Sequence, residues 1–361
     1  MTIQEFIDLV EIDIGIFDGK PDSKTIYLGL DTGSDLTWTQ CENCVKCFHQ
    51  VNPYYPASQS HSYKPIPCSQ CASTAECSEN VCKETRMYGD GSVVKAIIAT
   101  ESFVFRSQND GLEIDGQDMN NKFNGYLGMG YGQYSFPEQA KILVNGKFSY
   151  CLQPEEEGLP PMHLRFGDDV IQPPAEVYTT PMFKRADREG HHYLNLCGIR
   201  VDDEDLDLPP GVFYIKSDGT GGCIIDTGTP TSRITSAAYT IFKDAVARNI
   251  ESANKNVERF QSTTSGLDLC YKRVSEPETV NLPYITWVFA GAADFFMTSD
   301  LTFDTFQEDG FPIVCLLFLE SNQAVGGLTI LGSEQQIDHR IIYDLTNGQL
   351  HFGPEDCSNG A

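Results

Sequence analysis

Two short stretches carry residue types that could do chemistry together. Leu30-Asp31-Thr32-Gly33-Ser34 returns as Ile225-Asp226-Thr227-Gly228-Thr229, 195 residues further on in a chain of 361. One Asp-Thr-Gly is an ordinary turn sequence, since Asp and Gly are common turn residues. Two copies half a chain apart, each following an apolar run, point to a duplicated unit with one carboxylate per copy. A second marker repeats nearly in step. Gly128 of Tyr126-Leu127-Gly128 stands 97 residues after Asp31, and Gly332 of Ile330-Leu331-Gly332 stands 106 after Asp226. Two carboxylates brought face to face cannot both ionise, so they would share one proton at mildly acidic pH. The ionised member can take a proton from a bound water, and the protonated one can donate to a carbonyl or a leaving nitrogen. Those two roles suffice to hydrolyse an amide without a covalent intermediate. Ser34 and Thr229 are placed to hydrogen-bond the carboxylates, and Thr32 and Thr227 could tie two loops together. Gly33 and Gly228 let backbone pass close to the acids. Glycoside hydrolysis also uses paired carboxylates, but no motif here supports it.

These residues need strands that end on them. Residues 25–30 form an expected strand that delivers Asp31 into a tight turn, and residues 223–225, introduced by Gly221-Gly222, do the same for Asp226. Tyr88-Gly89-Asp90-Gly91-Ser92 has the composition of a hairpin tip, with a strand expected over 93–105 and a loop over 109–124. Ser135-Phe136-Pro137-Glu138 is a capping box opening a short helix through Leu143. Tyr239, Phe242, Val246 and Ile250 fall on one face of a long helix starting at Ser236. Apolar runs follow at 286–290, 294–297 and 313–319. Ser333-x-x-Gln336 is expected to cap a short helix, and 341–352 to form a hairpin turned at Asn347-Gly348. Short strands and frequent turns make the fold mainly β. A link over 180–190, dividing near Lys184, separates units 1–183 and 184–361.

Charge excludes some functions. Fifty-one acidic residues oppose 25 basic ones, a net of −26, and no Lys/Arg cluster exists to neutralise phosphates, so nucleic acid is not a partner. The longest apolar run, 311–319, contains Pro312 and is too short to span a bilayer, so no membrane partner is expected either. Self-repulsion at neutral pH fades as carboxylates protonate, which suits work in acid. Thirteen cysteines, seven of them from Cys41 to Cys82, argue for an oxidising compartment, and the odd count leaves at least one thiol unpaired within the chain. Cys41-x-x-Cys44-x-x-Cys47 and Cys68-x-x-Cys71 could in principle hold zinc. A disulfide-stapled loop is the better reading among Pro53, Pro56, Pro65 and Pro67, so neither metal nor cofactor is expected. Met1-Thr2-Ile3-Gln4-Glu5 lacks the basic region and apolar core of a signal peptide, so a processed or truncated chain is expected.

The two motifs, the Tyr88 hairpin, Trp38 and the closing Ile330-Leu331-Gly332…Ile342-Tyr343-Asp344 segment resemble pepsin-type aspartic proteases. Trp38-Thr39-Gln40-Cys41, the cysteine-rich insertion and Phe148-Ser149-Tyr150-Cys151 resemble the nepenthesin-like, mostly plant branch, over nearly the whole chain. The resemblance implies a bilobal fold with a cleft between related lobes: 1–183 carries the first Asp, the insertion and a flap, and 184–361 the second Asp. It implies Asp31 and Asp226 as catalytic dyad, supported by Thr32, Gly33, Ser34, Thr227, Gly228 and Thr229. Tyr88 and Gly89 would belong to a flap closing over substrate, with Trp38 beside them. It further implies a monomer that cleaves extended polypeptides in acid, is blocked by pepstatin-like inhibitors, and is made as a zymogen for the secreted or vacuolar space. The implied disulfides are Cys41–Cys44, Cys68–Cys82, Cys71–Cys77, Cys151–Cys357 and Cys270–Cys315. Cys47 lacks its usual partner ahead of Tyr126, and Cys197 and Cys223 are additions. These three could pair among themselves or stay as thiols, with at least one buried thiol expected. Ala96 and Ala99 replace glycines of the flap strand and are expected to stiffen it. The alternative is a catalytically weak or inactive relative that binds protein or polysaccharide; such relatives lose an Asp or the flap Tyr, and this chain keeps all three.

Overall fold

The computed structural model describes residues 8–72, 75–104, 112–115 (backbone), 122–154, 159–160, 162–173, 176–185, 190–273, 280–322 and 325–359. Lys24–Asp31 alternates so that Ile26, Leu28 and Leu30 are buried, and it runs antiparallel to Leu9–Ile14. On its other side lies Gly125–Gly128, parallel, with Gly128 level with Asp31. The second half repeats the arrangement. Cys223–Ile225, buried throughout, lies between antiparallel His192–Leu194 and parallel Thr329–Leu331, with Leu331 level with Ile225. Each repeated apolar-Leu-Gly marker is therefore the parallel strand beside an Asp-bearing strand, which is why the two markers kept step in the sequence.

The halves share one 16-stranded sheet. Lys147–Cys151 pairs with His339–Asp344, which pairs with Gln349–Pro354, which pairs with Tyr178–Phe183. Asp344 accepts hydrogen bonds from Asn347, and Gly348 takes φ +62°, so the Asn347-Gly348 turn forms as expected. Ser236–Ala253 is the long helix, with Tyr239, Phe242, Val246 and Ile250 all buried. The fold is mainly β and bilobal.

Some elements differ from the sequence expectation. The 93–105 strand is broken into Val93–Ile97, Ala99–Thr100 and Phe103–Val104, because the chain changes partners: Ala99 and Thr100 pair with residues 64–65, and Phe103 and Val104 with Leu9–Ile14. Ser333 does not cap. Its N–H is taken by the Thr229 carbonyl, its own backbone is helical, and Glu334–Gln336 is a single 3-10 turn. Within the expected 109–124 loop, Leu112–Asp115 is a strand, and 109–111 and 116–121 lie outside the described residues. Of the expected 180–190 link, Tyr178–Phe183 is strand up to its last residue, and 186–189 lie outside the described residues.

The cysteine pairing needs correction. Cys151–Cys357 and Cys270–Cys315 join as implied, but the insertion forms Cys44–Cys47, Cys68–Cys77 and Cys71–Cys82. Register explains the exchange. Cys77 and Cys82 face each other across the Glu76–Ser78/Val81–Met87 hairpin. The chain ahead of them pairs so that the Cys82 N–H meets the Ile66 carbonyl while the Cys68 N–H meets Asn80. Cys68 is thus displaced along the ladder toward the hairpin turn, and Cys71 takes Cys82. Cys41 is held by a bridge to Tyr55 with its side chain packed on the core, where burial raises its thiol pKa; Cys44 closes on Cys47 instead. Cys223 is the buried thiol expected, and Cys197 is an exposed one.

Candidate active site

Each Asp ends a buried strand, and each carboxylate meets the same set of groups. The Gly33 N–H donates to Asp31 Oδ1 at 3.0 Å, and the Gly228 N–H to Asp226 Oδ1 at 2.8 Å. Ser34 Oγ donates to Asp31 Oδ2, and Thr229 Oγ1 to Asp226 Oδ2 at 2.7 Å. The loops are tied by a reciprocal pair. The Thr32 N–H donates to Thr227 Oγ1 at 3.1 Å, and the Thr227 N–H to Thr32 Oγ1 at 3.0 Å. Thr227 Oγ1 gives its own proton to the Leu30 carbonyl at 2.7 Å. Both glycines are required by approach across the halves. A Cβ at Gly33 would lie 2.3 Å from Asp226 Cγ, and one at Gly228 would lie 2.6 Å from Asp31 Oδ1.

Asp31 and Asp226 are both buried. Burial, and then the charge of Asp226, push the Asp31 pKa up to about 7, against the opposing pull of Ser34 and the Gly33 N–H. Like charges this close hold one proton between them. In such a pair the ionised member can take a proton from a water and the protonated member can donate to a carbonyl.

The hairpin of Val81–Met87 and Val93–Ile97 carries Tyr88 at its turn, which closes through the Tyr88 N–H and Ser92 carbonyl at 2.9 Å. Trp38 Nε1 donates to Tyr88 Oη at 2.7 Å. Burial, and then the Asp31 charge, raise the Tyr88 pKa and keep its phenol protonated. Gly89 is exposed at the tip, and a Cβ there would come within 3.0 Å of Val325 from the other half. The predicted dyad, its supporting residues, Tyr88, Gly89 and Trp38 thus gather at one place, and the disulfides staple the insertion and the sheets away from it.

Sequence reasoning missed the groups beneath. Tyr150 Oη donates to Gln336 Oε1 at 2.6 Å and lies 3.0 Å from Tyr343 Oη, and Tyr343 hydrogen-bonds the Thr32 side chain. Gln336 Nε2 donates to the Leu331 carbonyl at 2.9 Å, the same oxygen that accepts the Asp226 N–H. One buried polar chain therefore reaches both Asp loops. Two histidines cross between the halves: His191 Nδ1 donates to the Gly33 carbonyl at 2.8 Å, and His192 Nε2 to the Met129 carbonyl at 2.9 Å. Met129 in turn donates its N–H to the Asp31 carbonyl. The available signal was polarity at core positions, since the Tyr150 and Tyr343 hydroxyls and the His192 ring fall within strand segments; Gln336 lies in the polar run 333–336 and gave no such signal. Among the described residues no group of three His, Cys, Asp or Glu is arranged to hold a metal.

Two family models match the chain: "Xylanase inhibitor N-terminal" over residues 14–168 and "Xylanase inhibitor C-terminal" over 191–354. Aspartic proteinase nepenthesin-2 of Nepenthes gracilis is 31% identical over 349 residues, covering 94% of this chain and 76% of that protein. Nepenthesin-1 of the same plant is 32% identical, covering 91% and 74%. Among solved structures, edgp superposes with a TM-score of 0.72 at 14% identity, covering 98% of this chain and 97% of that one. Soybean basic 7S globulin does so with a TM-score of 0.64 at 15% identity, covering 96% of each. At such identity these structures speak for the fold alone.

Proposed function

The chain belongs to the plant pepsin-like aspartic protease family, and from that premise we propose that it is an acid endopeptidase hydrolysing peptide bonds through a water activated by Asp31 and Asp226. One observation carries the reading: each carboxylate has its own hydroxyl and N–H donor, and each motif's glycine faces the opposite acid. The water sits between the carboxylates, Asp226 draws its proton, and Asp31 donates to the carbonyl oxygen as the tetrahedral intermediate forms. Tyr88, above Asp31, closes over an extended polypeptide. Five disulfides support an oxidising compartment, which fits a secreted or vacuolar monomer. The test is cleavage of denatured globin from pH 2 to 7 with and without pepstatin. Pepstatin-sensitive cleavage confined to acid is expected. Asp226→Asn should abolish cleavage while leaving the thermal midpoint at acidic pH within a few degrees of native, and persistent cleavage would refute the dyad.

A second reading, an inhibitor-like binding protein, has one observation in its favour: the matching family models are described as those of xylanase inhibitors. A folded, monodisperse sample that cleaves nothing at any pH would favour it.

A further inference from the structure

An aromatic wall leads away from the paired carboxylates. It starts at Tyr88, beside Asp31, and continues through Tyr126 at 5.3 Å between ring centroids. From Tyr126 the next step is 4.9 Å to Phe123, and a further 5.3 Å reaches Phe48, stacked on Phe123 at 30°. Trp38 stands behind, edge-on to Phe48, Phe123 and Tyr126 at 6.0–6.3 Å. Position follows from register. Tyr126 opposes Trp38 on one side and Gly29 on the other, two residues short of the Gly128–Asp31 pair.

These rings are not a core. The central aromatics of the fold, such as Phe148, Tyr193 and Trp287, are fully buried, whereas all five wall rings keep solvent contact and Phe48 is 37% exposed. Besides its ring contacts, Phe48 is held by its backbone. The buried Gln40 side chain accepts the Phe48 N–H at 2.9 Å and donates to the Phe48 carbonyl at 3.1 Å, while Cys44–Cys47 closes the turn just before it. Backbone clamping of an exposed aromatic presents a face rather than filling a hole.

We propose that Phe48 is a specificity-determining residue: with Phe123 it forms the far end of this wall and takes a bulky apolar or aromatic side chain of an extended peptide. Alternate side chains of an extended chain face the same way, about 6.6 Å apart; each centroid step is shorter than that, but the two steps from Tyr126 through Phe123 to Phe48 together are longer. One substrate side chain therefore meets Tyr126 near the dyad, and the one two residues along meets Phe48. The proposal rests on the endopeptidase reading for the presence of a peptide in this cleft.

The test uses peptides with a reduced, uncleavable amide at the centre, in pairs that differ only by Phe or Ala two residues before or after it. Kd is measured for the native protein, Phe48→Ala and Phe48→Leu, with cleavage of the ordinary amide peptides run alongside. In the native protein Phe should be preferred over Ala on one side of the reduced bond. Phe48→Ala should shrink that preference about threefold to tenfold and leave the Ala peptide within about twofold. Phe48→Leu, which keeps apolar volume, should lose less. An unchanged preference, an equal loss for both peptides, or no binding by folded native protein would overturn the proposal. Phe48-dependent binding without any cleavage would instead sink the endopeptidase reading and leave the wall standing.

Discussion

Asp31 and Asp226 have matched donors, yet the proton they share has a thermodynamic signature beyond catalysis. The folded-state pKa of Asp31 is raised from its ordinary 3.8 to about 7. Between those values the unfolded chain has lost a proton that the folded one keeps, so stability is fully present below pH 3.8 and is lost as pH rises toward 7. Asp31→Asn removes that term. The variant should melt at least about 3 °C above the native protein at pH 7 and close to it at pH 3.5. Equal shifts at both pH values would show that the buried acid is not being held protonated. The loop residues were legible in the sequence because their chemistry is local: hydroxyl, amide and carboxylate lie within four positions, twice. His191 and Gln336 were not, because their partners Gly33 and Tyr150 are distant in sequence and only the fold brings them together.

At the level of elements, a strand's apolar period is readable in sequence and its partners are not. Lys24–Asp31, Ser236–Ala253 and the Asn347-Gly348 hairpin followed from periodicity and turn chemistry. The cysteine exchange and the broken strand after the flap depended on which segment lies alongside. His192 shows the consequence. It sits on His192–Leu194, opposite Ile225 in the strand leading to Asp226, and is packed between Tyr131, tilted at 4.5 Å, and Tyr343, edge-on at 4.7 Å. Burial lowers its pKa from 6.5 to about 4. Here the unfolded state binds the extra proton, so stability is complete above pH 6.5 and falls as pH drops toward 4, by on the order of 3 kcal/mol. His192→Phe loses the bond to Met129, at about 1 kcal/mol, but should also lose this dependence. Urea unfolding at pH 7 and pH 4 should show the variant gaining on the native protein by on the order of 3 kcal/mol in acid. Parallel pH curves would exclude His192 as the source.

The whole molecule carries a second neutral-pH penalty that the dyad does not explain. A net charge of −26 spread over a mostly acidic surface repels itself at pH 7 and is close to balanced near the pI of about 4.5. Surface repulsion and the buried dyad both favour folding in acid, but salt separates them, because exposed charges are screened within a Debye length and buried ones much less. Raising NaCl from about 0.02 to 0.5 M should therefore lift the thermal midpoint by several degrees at pH 7 and leave it nearly flat at pH 4.5. Asp31→Asn should keep that salt response in full while losing the dyad's share of the pH response. If salt instead erased the difference between Asp31→Asn and the native protein at neutral pH, the dyad would be solvated rather than buried. The proton relay proposed for catalysis would then lose the low-dielectric setting on which it depends.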